Sequence, residues 1–159
     1  MAYETLVAVN ASSGKPSYGN GAAHDQKQHI STIEVTSSAD VSSTYDMHVV
    51  PSSARINPVS SFVYWDDMGT ATATLDVGTV SGASYDDDTL NIDFGLVEAS
   101  GQPMLGRSTP GIEDFGKRLW ELHGLTADPG GLMTIRMKIK DSAPNLGGTL
   151  TSVCVYTTD

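Results

Sequence analysis

A chain of 159 residues and 16.8 kDa is the size of one domain and long enough to bury a single core. Its 9 bases against 19 acids give a net charge of −10. That charge excludes a basic nucleic-acid footprint and the Lys/Arg clusters that dock on an anionic membrane. No apolar run approaches the ~18–20 residues of a membrane span. Met1-Ala2-Tyr3-Glu4 lacks the basic start and apolar core of a signal peptide. The single Cys154 has no intrachain partner, so the chain is expected to be made in a reducing cytosol. The 18 Ser and 16 Thr, with 16 Gly, suit strands and turns rather than helices.

In chain order, Tyr3 to Val9 predicts one short strand. Asn10 to Ala23 offers little to bury and holds Gly14, Pro16, Gly19 and Gly21 in close order. Residues 1–28 therefore read either as a disordered tail or as an arm that orders on a neighbouring subunit. Strand patterns follow at His29–Thr36 and at Thr44–Val50, where Tyr45, Met47 and Val49 alternate with Asp46 and His48. Arg55–Asp66 reads as one buried strand. Thr70–Val80 reads as a half-buried strand of period two, with Leu75, Val77 and Thr79 on one face and Asp76 and Gly78 on the other. Gly82–Asp88 reads as a loop, Thr89–Ala99 is ambiguous between strand and helix, and Ser100–Pro103 is a break.

One helix is expected. Thr109 caps it, Pro110 opens it, Ile112, Phe115, Leu119 and Leu122 form its apolar stripe, and Gly124 stops it. Lys117, Arg118 and His123 fall towards its C-terminal end. Two long strands close the chain. Met133, Ile135, Met137 and Ile139 alternate with Thr134, Arg136, Lys138 and Lys140, and Leu150–Thr157 follows after a connector, 141–148, suited to a long hairpin loop. The fold expected is mainly β: an antiparallel β-sandwich, jelly-roll-like, with one short α-helix near residues 110–123 and an extended N-terminal arm. The domain division expected is an arm, 1–28, and a single sandwich domain, 29–159.

Between Asp40 and Ser100 lie ten acids and one base, Arg55. The block reads as a solvated face, or as a surface that must not stick to its own copies. Asp86, Asp87 and Asp88 are a weak candidate for calcium, which takes oxygens from acidic loops, although EF-hand spacing is missing. Solvated, turn-forming acids are the leading reading of the three. His24, His29, His48 and His123 share no metal-ligand spacing. Gly-x-Ser-x-Gly and a P-loop are absent, Cys154 suits a small core residue, and Trp65 and Trp120 suit the core. No enzyme and no cofactor are expected.

Two stretches carry a resemblance. One runs through Ala39-Asp-Val-Ser-Ser-Thr-Tyr45, Val50-Pro-Ser-Ser-Ala-Arg-Ile56, Asp66-Asp67 and Thr74-Leu-Asp-Val-Gly78. The other is Lys117-Arg-Leu-Trp-Glu-Leu-His-Gly-Leu-Thr-Ala-Asp-Pro-Gly130, continuing to Val155-Tyr156. With them the chain resembles small virion structural proteins of tailed bacteriophages, of the head decoration or cement type, over about residues 29–157. It departs from them at Gly78-Thr-Val80, where Gly-Leu-Tyr is common. The resemblance implies synthesis in the host cytoplasm and a place on the capsid exterior. It also implies the major capsid protein as partner and a homo-oligomer, with a trimer as the guess. Tyr3, Leu6, Val7 and Tyr18 are the arm's apolar anchors for capsid contact. The alternative reading is a tail, fibre or carbohydrate-recognition module that touches the host surface.

Overall fold

The computed structural model describes residues 5–7, 26–69, 72–105 and 114–158, with the backbone alone at 5–7. The strands are β1 Thr5–Val7, β2 Lys27–Val35, β3 Thr44–Pro51, β4 Arg55–Ile56, β5 Phe62–Trp65, β6 Thr74–Ser81, β7 Ser84–Gly95, β8 Ser100–Pro103, β9 Leu132–Lys140 and β10 Gly148–Thr157. The helix α1 spans Leu119–Leu122. One sheet has the order β1-β3-β9-β6-β7, and the other runs β2-β10-β5-β8 with β4 also on β10. Every pairing is antiparallel except that of β1 with β3. The two sheets enclose one core, in which Trp65 of the second stacks on Phe94 of the first at 5.4 Å. The mainly β sandwich with one short helix is the architecture that the strand-rich composition implies.

β9 is the frame. Its period-two pattern buries Met133, Ile135, Met137 and Ile139 and leaves the alternate residues half-buried. It pairs with β3 on one side and β6 on the other. Both of its edges are therefore occupied, and β10 cannot join it in a hairpin. The connector after Lys140 crosses to the other sheet, where β10 pairs with β2 and β5. The long hairpin expected there does not form.

Other expectations are corrected by local chemistry. Arg55–Asp66 is two strands, because the Asn57 side chain accepts from the backbone N–H groups of Val59 and Ser60 and closes a turn. Val59 stands 80% exposed at its tip. The segment at 82–88 is not a loop. Ser81 pairs with Ser84 across a two-residue hairpin whose Gly82 has φ +58°, as a type II′ turn requires. The three aspartates thus lie within β7. Ser100–Pro103 is no break but a strand on β5.

The described part of the expected helix is a turn from Asp114 followed by the four residues of α1. Gly116 at φ +94° interrupts any continuous helix, so Phe115 leaves the stripe and is exposed, and Lys117 and Arg118 precede the helix. The Arg118 N–H donates to Glu121 Oε2 at 2.7 Å, and Gly124 at φ +77° ends the helix as expected. The expected cap at Thr109 and Pro110 lies outside the described residues, as does His24. Among the described residues no helix is long and apolar enough to cross a membrane.

In β3 the simple alternation fails. The register with β9 shifts between Asp46 and His48, so Met47 and His48 are both buried, Val49 is half-buried and Val50 turns in. His48 thereby enters the space between the sheets. Its Nε2 lies 2.8 Å from Ser152 Oγ of β10, and its Nδ1 lies 3.4 Å from Ser31 Oγ of β2. The His29 ring lies 6.1 Å away. Burial, and then the charge of His29, push the His48 pKa down to about 3. It stays neutral, sharing one donor and one acceptor between two serines.

An unfolded histidine titrates near ~6.5, so between that pH and about 3 the unfolded chain binds a proton that folded His48 refuses. Stability from this residue is therefore complete above pH 6.5 and falls by up to ~1.4 kcal/mol per pH unit below it. Urea midpoints from pH 7 to 5 are expected to drop in the wild type and to drop less in His48→Gln. Parallel pH profiles for the two proteins would show that His48 is not the group responsible.

Candidate functional site

Three acids of the acidic segment, Asp46, Asp76 and Asp87, converge on β9. Arg136, Lys138 and Lys140 share its outer face, and each meets an acid from a different strand. Arg136 pairs with both carboxylate oxygens of Asp46 on β3, with Nη2 2.9 Å from Oδ2. Lys138 Nζ lies 2.5 Å from Asp87 Oδ2 on β7. Lys140 Nζ lies 2.7 Å from Asp76 Oδ2 on β6 and 3.9 Å from Asp87. The Tyr85 ring covers this network, 5.2 Å from the Arg136 guanidinium and 5.9 Å from Lys138 Nζ. Burial, ahead of the nearby aspartates, drives the Tyr85 hydroxyl pKa up. Asp76 is fully buried, and its Oδ1 accepts from the backbone N–H of Asp93. The expected polar face of β6 is thus covered rather than solvated.

A bulge brings Asp86, Asp87 and Asp88 together. Thr79 of β6 pairs with Asp86, but Val77 pairs with Asn91, so β7 carries extra residues between them. The bulge lies directly on Gly78, where a Cβ would stand 2.0 Å from the Asp86 carbonyl oxygen and 2.5 Å from the Asp87 Cα. One ligand atom from each of the three carboxylates falls within a 4.8 Å cluster. Their electrostatics differ. The hydrogen bond from Lys138 holds the Asp87 pKa below the usual carboxylate value. Asp88 is pushed the other way, first by its hydrogen bond with Asp86, then by burial and the like charges. With Asp87 already engaged by Lys138, two carboxylates remain, short of the ~6–8 oxygens that calcium takes. A calcium role for Asp86, Asp87 and Asp88 therefore needs ligands beyond these three carboxylates.

Beside the bulge, Asp86, Asp88, Thr89, Asp114, Lys117, Glu121 and Leu122 line an open recess between β7 and α1. His123 follows α1 and is buried. Its Nδ1 lies 2.6 Å from Thr79 Oγ1 and its Nε2 lies 3.2 Å from Ser84 Oγ. Thr79 donates to Thr89, which donates to the Asp86 carbonyl. A serine beside a histidine suggests a nucleophile and base, but the group behind this histidine is a hydroxyl, not the carboxylate that orients an imidazole for catalysis. The chain of hydroxyls fastens α1 to the β6–β7 hairpin. Cys154 is fully buried, with its thiol pushed up to about 12 by burial, and is not a nucleophile.

The two stretches behind the sequence resemblance meet here. Leu119 N–H donates to the Ala54 carbonyl at 2.8 Å and Trp120 N–H to that of Ser52 at 3.2 Å. The Ser52 hydroxyl donates to Asp128 at 2.5 Å, and Ser52 N–H donates to the Gly131 carbonyl. The Ser52 hydroxyl bond, with one from Gly130 N–H, holds the Asp128 pKa below the usual carboxylate value. The turn 51–54 therefore satisfies the N-terminal donors of α1 in place of a side-chain cap.

Of the arm anchors, Leu6 and Val7 lie in β1, paired with Tyr45 and Asp46, while Tyr3 and Tyr18 lie outside the described residues.

No family model matches the chain, and no curated protein matches it. Solved structures do. A chain in the capsid of Ralstonia phage GP4 matches with a TM-score of 0.69 at 14% identity, over 98% of both chains. A chain in the cyanophage Pam1 capsid asymmetric unit matches with a TM-score of 0.56 at 13% identity, over 90% of this chain and 91% of that one. The fold is shared end to end with chains found in two phage capsids.

Gly78→Ala is expected to cost at least ~2 kcal/mol, because its methyl meets backbone rather than a movable side chain. Chemical denaturation checks this, and an unchanged midpoint would show that the bulge is free to lift. The acids should respond in opposite senses. Asp87→Asn removes a carboxylate whose depressed pKa contributes stability above the unfolded pKa and loses it as pH falls. Asp88→Asn removes one whose raised pKa costs stability at neutral pH. Thermal unfolding at pH 7 and low salt should place Asp88→Asn at or above the wild type and Asp87→Asn below it, with the gap closing near pH 3. Each shift should be within ~1 kcal/mol, since both groups are partly solvated.

Proposed function

We propose that this chain is a non-enzymatic structural protein of a phage virion. In this reading it binds the outer surface of the capsid and stabilises contacts between major capsid protein subunits, as a homo-oligomeric decoration or cement protein. The observation that carries the reading is the end-to-end match to chains in two phage capsid structures at TM-scores of 0.69 and 0.56. The site chemistry supports it. The ion pairs on β9 join neighbouring strands, and the ring nitrogens of His48 and His123 meet hydroxyls rather than carboxylates. The net charge of −10 suits a protein displayed in many copies on a particle that must remain dispersed. Tyr3, Leu6, Val7 and Tyr18 are the proposed capsid contacts, since an N-terminal arm laid across a subunit boundary adds interface at each site. Many such sites acting together let modest single contacts suffice.

Purified protein mixed with undecorated, expanded heads is expected to co-sediment and to saturate at hundreds of copies per head. A variant lacking residues 1–20 that keeps the wild-type circular dichroism should bind more weakly. Absence of head binding by the full chain overturns the proposal and favours the tail, fibre or carbohydrate-recognition reading. Undiminished binding by the truncated protein removes the arm from it.

A further inference from the structure

The two outer faces of the sandwich differ in kind. The first sheet presents the ion pairs of β9 described above. The second carries its charges at its ends, Glu34 and Asp66 at one and Arg55 of β4 at the other, with none in the rows between. Its register aligns Ile30, Val153, Phe62 and Pro103 in one row across four strands, and Thr32, Thr151, Tyr64 and Gly101 in the next. Ile30 is 54% exposed and Tyr64 47%. The Phe62 and Tyr64 rings stack at 6.0 Å. Tyr64 lies flat over Gly101, where a Cβ would stand 2.4 Å from its ring, so a ring face is held outward without mobile side chains beneath it. Acids appear at one end of the face. Glu34 accepts from the Thr149 hydroxyl and Asp66 from its N–H, and the hydrogen bonds from Thr149 hold the Asp66 pKa low. At the other end Gln28 faces Val155.

We propose that this face is a contact surface for a second copy of the chain, packed sheet against sheet about a two-fold axis. Charge selects this occupant. Every copy carries −10, and the cations of the β9 face are already matched by Asp46, Asp76 and Asp87 of their own chain. Two such copies repel wherever acidic surfaces meet, and an uncharged face is where they approach at least cost. Running the stacked strands in opposite directions sets the Glu34 and Asp66 end of one copy against the Gln28 and Val155 end of the other. β2 and β10 run about nine residues and β5 and β8 four, which at ~3.3 Å per residue and ~4.8 Å between strands makes a face of roughly 400 Å². With side-chain relief that lies at the low end of specific interfaces, below the ~800 Å² per partner of the standard size. Phe62 and Tyr64 supply rigid aromatic anchors near its middle.

Sedimentation equilibrium of the full chain at micromolar concentrations is expected to give the mass of two chains. Tyr64→Glu combined with Ile30→Glu places acids in the uncharged rows and is expected to weaken pairing at least ~tenfold. Leu132→Glu, at an exposed apolar residue on the other sheet, should leave pairing intact. Far-UV circular dichroism and urea midpoints close to wild type show that each variant is folded. Mixing Tyr64→Lys with Tyr64→Glu, each weakened alone, should restore the two-chain mass. A monomeric wild type, a trimer that survives the substitutions, or equal disruption by Leu132→Glu each overturns the proposal. A monomer whose head binding falls with Tyr64→Glu overturns it and assigns the face to the shell. Head binding is read separately, so failure of pairing leaves the virion proposal standing.

Discussion

The structure depends on β9 being satisfied on both faces and both edges at once. Its inner residues Met133, Ile135, Met137 and Ile139 form part of the core. Its edges hold β3 and β6. Its outer residues Arg136, Lys138 and Lys140 draw an acid from each of β3, β7 and β6. A solvent-exposed ion pair is worth only ~0–1 kcal/mol, so packing supplies most of the stability of the sheet, and the charges match partners across its outer face. The acidic block of the middle segment is in part the counter-charge of this one strand.

Two irregularities in the same sheet are as necessary as its regular pairing. The shift in β3 directs His48 inward, where burial holds it neutral and serines from two strands of the opposite sheet lie within hydrogen-bond distance of its ring nitrogens. The bulge in β7 settles on Gly78 and gathers three consecutive aspartates that a regular strand would distribute over two faces. In each case a polar group is placed where regular alternation would not put it, and the cost is met by a partner from another strand. Gly78 lies within a stretch that carries the family resemblance, and the bulge supplies a physical reason for a glycine there.

The two sheets leave the sandwich with unlike outer surfaces, one crossed by ion pairs and one with charge only at its ends and stacked aromatic rings between. A protein that coats a crowded particle needs both a surface that repels others and a surface on which contact is tolerated. This division suits the proposed virion role, and it arises from strand order: the basic residues of β9 lie in one sheet, and the hydroxyl-rich strands β2 and β10 lie in the other.

The sequence by itself determined the β class, β2 from its β-branched content, β9 from its strict alternation, the stop at Gly124 and the burial of Cys154, because each follows from residue type and local period. Asn57, Gly82 and Gly116 also carried local signals, a side-chain turn, a tight hairpin and a helix break, that the apolar pattern around them outweighed. Only the tertiary structure decided that β9 and β10 part to different sheets, that Ser100–Pro103 is a strand, that both faces of β6 are covered, and that His48 and the three aspartates lie where they do. Those outcomes depend on which strands are neighbours. Hydrogen-bond pairing across more than a hundred residues, as between His48 and Ser152, leaves no trace in the local period of either strand.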